Sequence, residues 1–426
     1  MKKITNSVRS EFGRSSAKLL SSNAIAQIIG LLIYPILSRL YSPDDFGLVN
    51  LFLSIGGVIT LFATAEYQYA IMLPKSEYKA AACFHIGFFI TLGVTLLCLL
   101  TVPFATSIAN LFNAPTLSNW YFLLPIFVFV SALWILLNYW YTRHKKFTNI
   151  STYQLTQSLF GAGSKYGFGL IGFTSGGLIL STILAPVLSL IISISTALKK
   201  TLKPLLRVDK AACKKAANEY ANFPKYALPR SIINNLSGNL PVLLLTPFFG
   251  LTEIGFFGMA LTLAFRPINM ISSSLYQVFF QRTAEHVQNK QSILPFFKKF
   301  IQKTVLIITP TLVVLYFILP WLTAWLLGDG WDVTGDYIRI MLPWLALVLI
   351  SSAINYLPDI FGKQYIYMYI EILYIILRAT SLVIGIITNN IQIALTLYFT
   401  ISTIILLIEI VWFLGMVKKY EKKLIV

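Results

Sequence analysis

The amino-acid sequence predicts an all-α membrane protein of about twelve transmembrane helices, and three observations carry that prediction. Of the 426 residues, 57% are hydrophobic and only 12% charged, whereas a soluble domain carries about 25% charged residues. Apolar runs recur from one end of the chain to the other at the length of about 20 residues that a helix needs to cross a lipid core. Between those runs, lysine and arginine fall in alternate loops only. So few charges cannot cover a water-facing surface, so most of the surface faces lipid.

The first run, 19–40, follows a polar, basic segment (Lys2, Lys3, Arg9, Arg14, Lys18). A secretory signal begins in this way. Here, however, the only A-x-A-like stretch, Ala24-Ile25-Ala26, lies inside the apolar run, and an uncleaved first helix is expected. The second run, 46–65, opens behind Ser42-Pro43-Asp44-Asp45. That stretch offers a capping hydroxyl, a proline suited to the first turn and acids that favour the positive helix end. Runs follow at 80–104, 119–141, 153–173 and 177–198, with glycines turning the chain between the last two. Beyond a basic stretch come 229–249, 254–276, 302–325, 337–357, 365–387 and 391–416, the final pair parted by Asn389-Asn390.

Basic loops prefer the cytoplasm. With the N-terminus placed there, the cytoplasmic segments hold five Lys and Arg (1–18), two (66–79), three (142–152), eight (199–228), four (277–301), one (358–364) and four (417–426). The six loops on the other side hold none and carry Asp44, Asp45, Glu253, Asp329, Asp332 and Asp336. One missed span would invert every later loop, so this split supports the span count and puts both termini in the cytoplasm. The net charge of +18 is thus a topology signal, and nucleic acid is not needed as a partner. Scattered cysteines (Cys83, Cys98, Cys213) and histidines (His85, His144, His286) argue against a disulfide framework or a metal cluster. No cofactor is expected.

Six runs precede the longest basic loop and six follow it. The division is an N-lobe at 1–198, a basic linker at 199–228 and a C-lobe at 229–426. Repeats of even span number lie parallel, related by a pseudo-two-fold axis along the membrane normal, here around a central cavity. Ser42-Pro43-Asp44-Asp45-Phe46-Gly47-Leu48 after the first run is echoed by Thr252-Glu253-Ile254-Gly255-Phe256 after the seventh. The linker is expected to lie along the inner membrane surface, where anionic lipids contribute roughly 1 kcal/mol per basic residue.

Several stretches resemble those of bacterial oligosaccharide flippases of the multidrug, oligosaccharidyl-lipid and polysaccharide exporter superfamily. They are Ser38-Arg39-Leu40-Tyr41-Ser42-Pro43-Asp44-Asp45-Phe46-Gly47-Leu48, Glu66-Tyr67-Gln68-Tyr69-Ala70-Ile71-Met72-Leu73-Pro74 and Asn222-Phe223-Pro224-Lys225-Tyr226-Ala227-Leu228-Pro229. The likeness continues through Leu240-Pro241-Val242-Leu243-Leu244, Gly255-Phe256-Phe257-Gly258 and Tyr276-Gln277-Val278-Phe279-Phe280, and fades beyond about residue 285. It implies a two-lobed bundle in the bacterial cytoplasmic (inner) membrane that moves an undecaprenyl-diphosphate-linked oligosaccharide, such as an O-antigen unit for lipopolysaccharide, to the outer leaflet. It also implies a polysaccharide polymerase and chain-length proteins as partners.

Seven basic residues fall within the runs. Arg39, Arg230, Lys303 and Arg339 lie near span ends, where long side chains snorkel to the interface. Lys165, Arg266 and Arg378 sit deeper, where a charge faces a cavity or a partner. These three are the candidate substrate-binding cations, placed so that both lobes can address one anionic cargo, since Arg binds phosphate oxygens through paired donors. A structural role competes. Arg378 follows Glu371 by two turns on one helix face, and Arg266 precedes the kinking Pro267, where it can satisfy freed carbonyls.

Glu371 and Glu66 are the candidate ion-coupling acids, although Glu66 equally fits a membrane-interface residue, as does Glu409. Asn234, Asn235, Asn239 and Gln157 suit sugar hydroxyls or neighbouring helices. Trp120, Trp140, Tyr141, Trp321, Trp325 and Trp331 read as an interfacial belt. Two other functions stay open: a multidrug or small-solute exporter on the same scaffold, and a polysaccharide polymerase or polyprenyl-dependent glycosyltransferase. Such an enzyme needs a sizeable outer loop. The largest here, 105–118 and 326–336, are about a dozen residues long, too short to build a site readily. No catalytic residue is assigned.

Overall fold

Lipid offers the backbone no hydrogen-bonding partner, so a chain this apolar satisfies its amides within helices. The computed structural model describes residues 21–197 and 201–425, and every regular element among them is helical. Lys2, Lys3, Arg9, Arg14 and Lys18, with Lys199 and Lys200 of the linker, lie outside the described residues.

The membrane helices are α1 (Ser21–Leu37), α2 (Pro43–Thr64), α3 (Glu77–Leu100), α4 (Leu124–Arg143), α5 (Phe147–Leu170) and α6 (Thr174–Ala197). After the linker come α7 (228–249) and α8 (251–288), then α9 (Leu294–Leu327), α10 (Asp332–Ile354), α11 (Gln364–Ile387) and α12 (Ile391–Ile425). Nine helices among the described residues are long and apolar enough to cross a membrane. α1 is shorter than that test demands, and α5 spans 24 residues but is rich in Ser, Thr and Gln. One of the nine passes through Gly250, whose φ of 81° breaks it into α7 and α8. Adding α1, α5 and the extra helix made at Gly250 gives the expected twelve.

The chain forms two compact units, dividing between Gly255 and Phe256. In the first, α2 is central and packs against α3, α4 and α6, while α5 and α6 form the most extensive helix pair. The start of α2 follows from its sequence. Asp45 N–H donates to Ser42 Oγ at 3.3 Å and Ser42 N–H donates to Asp45 Oδ2 at 2.9 Å, a reciprocal capping box with Pro43 in the first turn.

This cap meets the turn between α7 and α8. A side chain at Gly47 would strike the carbonyl of Leu251, and one at Gly255 would strike the carbonyl of Pro43. The two contacts are the same contact made twice. Between them the Thr252 hydroxyl donates to Asp44 across a separation of 208 residues, the offset of the sequence echo.

Below the opposite end of the unit lies the linker. Its short helix, Lys210–Glu219, is capped by Asp209, which accepts from Ala211 N–H at 2.8 Å and Ala212 N–H at 3.0 Å. A π-turn at Phe223–Ala227 then leads into α7. The linker covers aromatic residues expected at the lipid interface. Trp140 and Tyr141 are fully buried, with Trp140 Nε1 donating to the Thr201 carbonyl at 2.8 Å and Tyr141 Oη to that of Ser193 at 3.3 Å. Trp331 is buried as well, so the belt reading holds for the exposed Trp321 and Trp325 but not for these three.

In the second unit α12 packs against α11 and α10, and α10 against α9. Only 6% of the apolar window of α9 is buried, as suits a helix facing lipid. Two polar devices hold α9 in place. At its start, the Glu421 carboxylate of α12 accepts from Ile293 N–H at 2.7 Å, Leu294 N–H at 2.8 Å and Ser292 Oγ at 2.9 Å. Further along, Pro320 lacks the N–H that would bond the Tyr316 carbonyl. Arg339 supplies it: Nε donates to Tyr316 O at 2.6 Å and Nη2 to Phe317 O at 3.3 Å, while Nη1 meets Asp336 at 3.1 Å. Arg339 is therefore a carbonyl cap for a kinked helix, where the sequence reading has it snorkelling.

Candidate functional site

The deepest charges of the second unit lie together on α11 and α12, against α10. Arg378 on α11 is only 7% exposed. Its Nε donates to Ser402 Oγ of α12 at 2.8 Å. The guanidinium lies 4.0 Å from the Tyr374 ring centre, 4.6 Å from Tyr398 and 6.0 Å from Trp344. Three aromatic faces and a hydroxyl thus take the place of water around the cation. Glu409 on α12 is 2% exposed, lies 3.5 Å from Ser351 Oγ of α10, and feels the charges of both Glu371 and Arg378. Two carboxyls, Glu371 and Glu409, thus share the neighbourhood of one guanidinium.

Glu371 was legible as a candidate and is half-buried on α11. Glu409 was not, because its nearness to the end of an apolar run suggested an interface residue. α12 continues to Ile425, which leaves Glu409 well inside the helix. Of the other deep cations, Lys165 is half-buried on α5, its carbonyl accepting from Tyr41 Oη at 2.7 Å, and Arg266 is exposed on α8 beside Pro267. Arg39, Arg230 and Lys303 are exposed, as snorkelling residues are. Asn239 Nδ2 donates to the carbonyl and side-chain oxygens of Asn235 one turn earlier, at 3.0 and 2.9 Å.

Among its described residues the first unit holds one buried acid of its own. Glu66 follows α2 at the end nearest the basic linker and is 3% exposed. Ala65 and Glu66 both have left-handed backbone, with φ of 44° and 64°. For side chains with a Cβ this conformation costs on the order of 1–2 kcal/mol per residue. The strained turn holds the carboxylate inward, where Gln68 Nε2 donates to it at 2.8 Å and Ser231 of α7 lies close by. Burial pushes the Glu66 carboxyl above the ordinary carboxylate range, against the smaller lowering pull of Ser231 and Gln68. Nearby, Arg143 of α4 ties the α2–α3 connection down, donating to the carbonyls of Ile71 at 3.0 Å and Pro74 at 2.6 Å.

Residues 36–335 match the family described as polysaccharide biosynthesis protein. No curated protein matches the chain in sequence. Among solved structures, the chain is similar to an inward-facing multidrug resistance MATE family transporter of the MOP superfamily. The TM-score is 0.68 at 14% identity, over 93% of this chain and 96% of that one. It is also similar to the Vibrio cholerae MATE transporter VcmN, crystallised as a point mutant, with a TM-score of 0.55 at 14% identity over 99% and 98% of the two chains. An outward-facing multidrug resistance MATE family transporter of the MOP superfamily gives 0.55 at 10% identity over 96% of each. At these identities the likeness is one of fold alone: a multi-pass helical architecture of two lobes.

Proposed function

The chain belongs to the polysaccharide biosynthesis protein family, and from that membership we propose that it is a flippase for a polyprenyl-diphosphate-linked oligosaccharide. It would carry this cargo from the inner to the outer leaflet of the bacterial cytoplasmic membrane by alternating access. The observation that carries the reading is the set of cations kept within otherwise apolar helices. A diphosphate needs positive charge to cross a low-dielectric region, and Lys165 and Arg266 are the side chains assigned to it. Arg378 reaches cargo only by leaving the aromatic faces of Trp344, Tyr374 and Tyr398. Its assigned part is therefore to hold the balance of charge with Glu371 and Glu409, the ion-coupling group of the second unit.

The test is to follow lipid-linked repeat units in cells that carry the assembly pathway. Removing this gene, with no paralogue present, is expected to trap them in the inner leaflet. Lys165→Ala and Arg266→Ala are expected to restore export poorly. Undiminished export without the gene would sink the proposal.

A second reading has the fold in its favour, since the similar solved structures are multidrug transporters. A multidrug exporter would raise drug resistance on expression and would tolerate loss of charge at Lys165 and Arg266.

A further inference from the structure

A cavity of about 290 Å³ lies between the first turns of α3 and the linker, apart from the residues assigned to transport. Glu77, Tyr78 and His85 line it from α3, and Arg207 and Asp209 from the linker. His85 is only 4% exposed. Its Nε2 lies 2.9 Å from the Leu205 carbonyl, which can only accept, so that nitrogen carries the proton. Nδ1 is left with no hydrogen-bond partner among the described residues. In the neutral ring it is a buried acceptor that lacks a donor.

The charged groups of the cavity are partly uncommitted as well. Glu77 gives one oxygen to His144 Nε2 at 3.1 Å, and Asp209 gives one to the amides of Ala211 and Ala212. The second oxygen of each has no hydrogen-bond partner among the described residues. Arg207 is exposed and, among the described residues, makes no hydrogen bond or ion pair. Nor are any three His, Cys, Asp or Glu side chains among those residues grouped to hold a metal ion. A ligand that carries both a primary ammonium and a phosphate answers both needs. The ammonium brings three donors to the acceptors, and the guanidinium forks onto phosphate oxygens.

The place of the cavity indicates which molecule brings that pair of charges. α3 has 24 residues, a length of about 36 Å, against a hydrocarbon core of about 30 Å. Glu77 opens the helix and so stands at the level of lipid headgroups, with His85 about 12 Å further along the axis. On the linker, the exposed apolar side chains of Leu206 and Val208 alternate with the cavity-lining Arg207 and Asp209. The backbone is extended at Arg207 and Asp209, which sends successive side chains to opposite sides. A segment that bares its apolar residues in this way suits the lipid interface better than water.

We propose that this cavity binds the headgroup of an ethanolamine phospholipid, its ammonium among Glu77, Asp209 and His85 and its phosphate on Arg207. The bound lipid bridges α3 and the linker, adding to the Lys79–Glu219 pair at 3.1 Å that joins the same two elements. A choline headgroup has the same charges but no N–H to donate. A glycerol headgroup brings the phosphate without the ammonium and leaves the acids unanswered. The proposal goes beyond the flippase reading and needs only that the chain lies in a bilayer.

Native mass spectrometry of the full chain tests it, with ethanolamine, choline and glycerol phospholipids of the same acyl chains supplied in equal amounts. The native chain is expected to retain the ethanolamine lipid over the choline lipid by on the order of tenfold, the worth of one charge-assisted hydrogen bond. The double variant Glu77→Gln, Asp209→Asn is expected to lose that preference and keep the linker helix, since Asn caps as well as Asp. Arg207→Gln is expected to weaken retention of every phospholipid. In nanodiscs, hydrogen exchange across residues 203–216 is expected to be slower with ethanolamine lipid than with choline lipid, and equal in the double variant. Equal retention of the two by the native chain would overturn the proposal, as would a preference for the glycerol lipid, the mark of a basic surface only. A preference that survives the double variant places the site elsewhere and overturns it too. If that variant does not fold, unchanged retention in Arg207→Gln overturns the proposal equally. Soluble glycerophosphoethanolamine competing on equal terms would overturn the lipid as the source of the headgroup.

Discussion

Arg339 and Arg378 show how differently one residue type can be kept inside apolar helices. Arg339 completes the hydrogen bonding of a proline-kinked helix. Its replacement by Leu leaves the Tyr316 carbonyl without a donor and is expected to cost about 1–3 kcal/mol of stability, measured as a lowered thermal midpoint in detergent. Arg378 is held by aromatic faces and faces two acids. Arg378→Gln is expected to destabilise the protein, and adding Glu409→Gln to recover part of the loss. A double-mutant cycle should give a coupling of about 0.5–3 kcal/mol, and additive effects would show that the two charges do not communicate.

Sequence spacing identified Arg378, Glu371 and Glu66 as unusual. It could not see that Trp344 and Tyr398 converge on Arg378 from other helices, nor that Trp140 would be roofed by the linker. Such convergence depends on packing between distant segments, which periodicity does not encode.

At the scale of elements, caps were the most legible features, because their chemistry is local. Ser42, Pro43, Asp44 and Asp45 start α2 as their order in the sequence demands. The cap on α9 was not legible, since its acceptor, Glu421, lies 127 residues from Leu294. Glu421→Ala is expected to cost about 1 kcal/mol, in the range of other lost N-caps, with protection from hydrogen exchange falling first at residues 292–297.

The α1–α2 and α7–α8 turns make a second testable element. Thr252→Asp would set a second carboxylate against Asp44, and like charges in contact repel. The variant should melt at a lower temperature than the native chain at neutral pH, and the gap should narrow in acid as the carboxylates protonate. A gap that ignores pH would mean that the loss is steric.

For the whole molecule, hydropathy and the placement of lysine and arginine were enough for the class of fold and the number of helices. α5 and the break at Gly250 were legible too, as the run at 153–173 and the separate runs at 229–249 and 254–276, although polar residues dilute the hydropathy of the first and a single glycine divides the second. The topology that the basic loops imply is open to direct test. Single cysteines at Lys75 and Lys363, in a chain without its native cysteines, should react with impermeant reagent only from the cytoplasmic side, and one at Asp329 only from the other.

The paired glycines carry a consequence for ancestry. A patch that fits a copy of itself is what a two-fold homodimer uses. If the two halves descend from one six-helix gene, that ancestor met its own duplicate through this turn, and whatever stood at position 44 faced itself. Two aspartates there would have repelled one another. Fusion into a single chain removed the obligation to be identical, and the place opposite Asp44 now holds a threonine that donates to it.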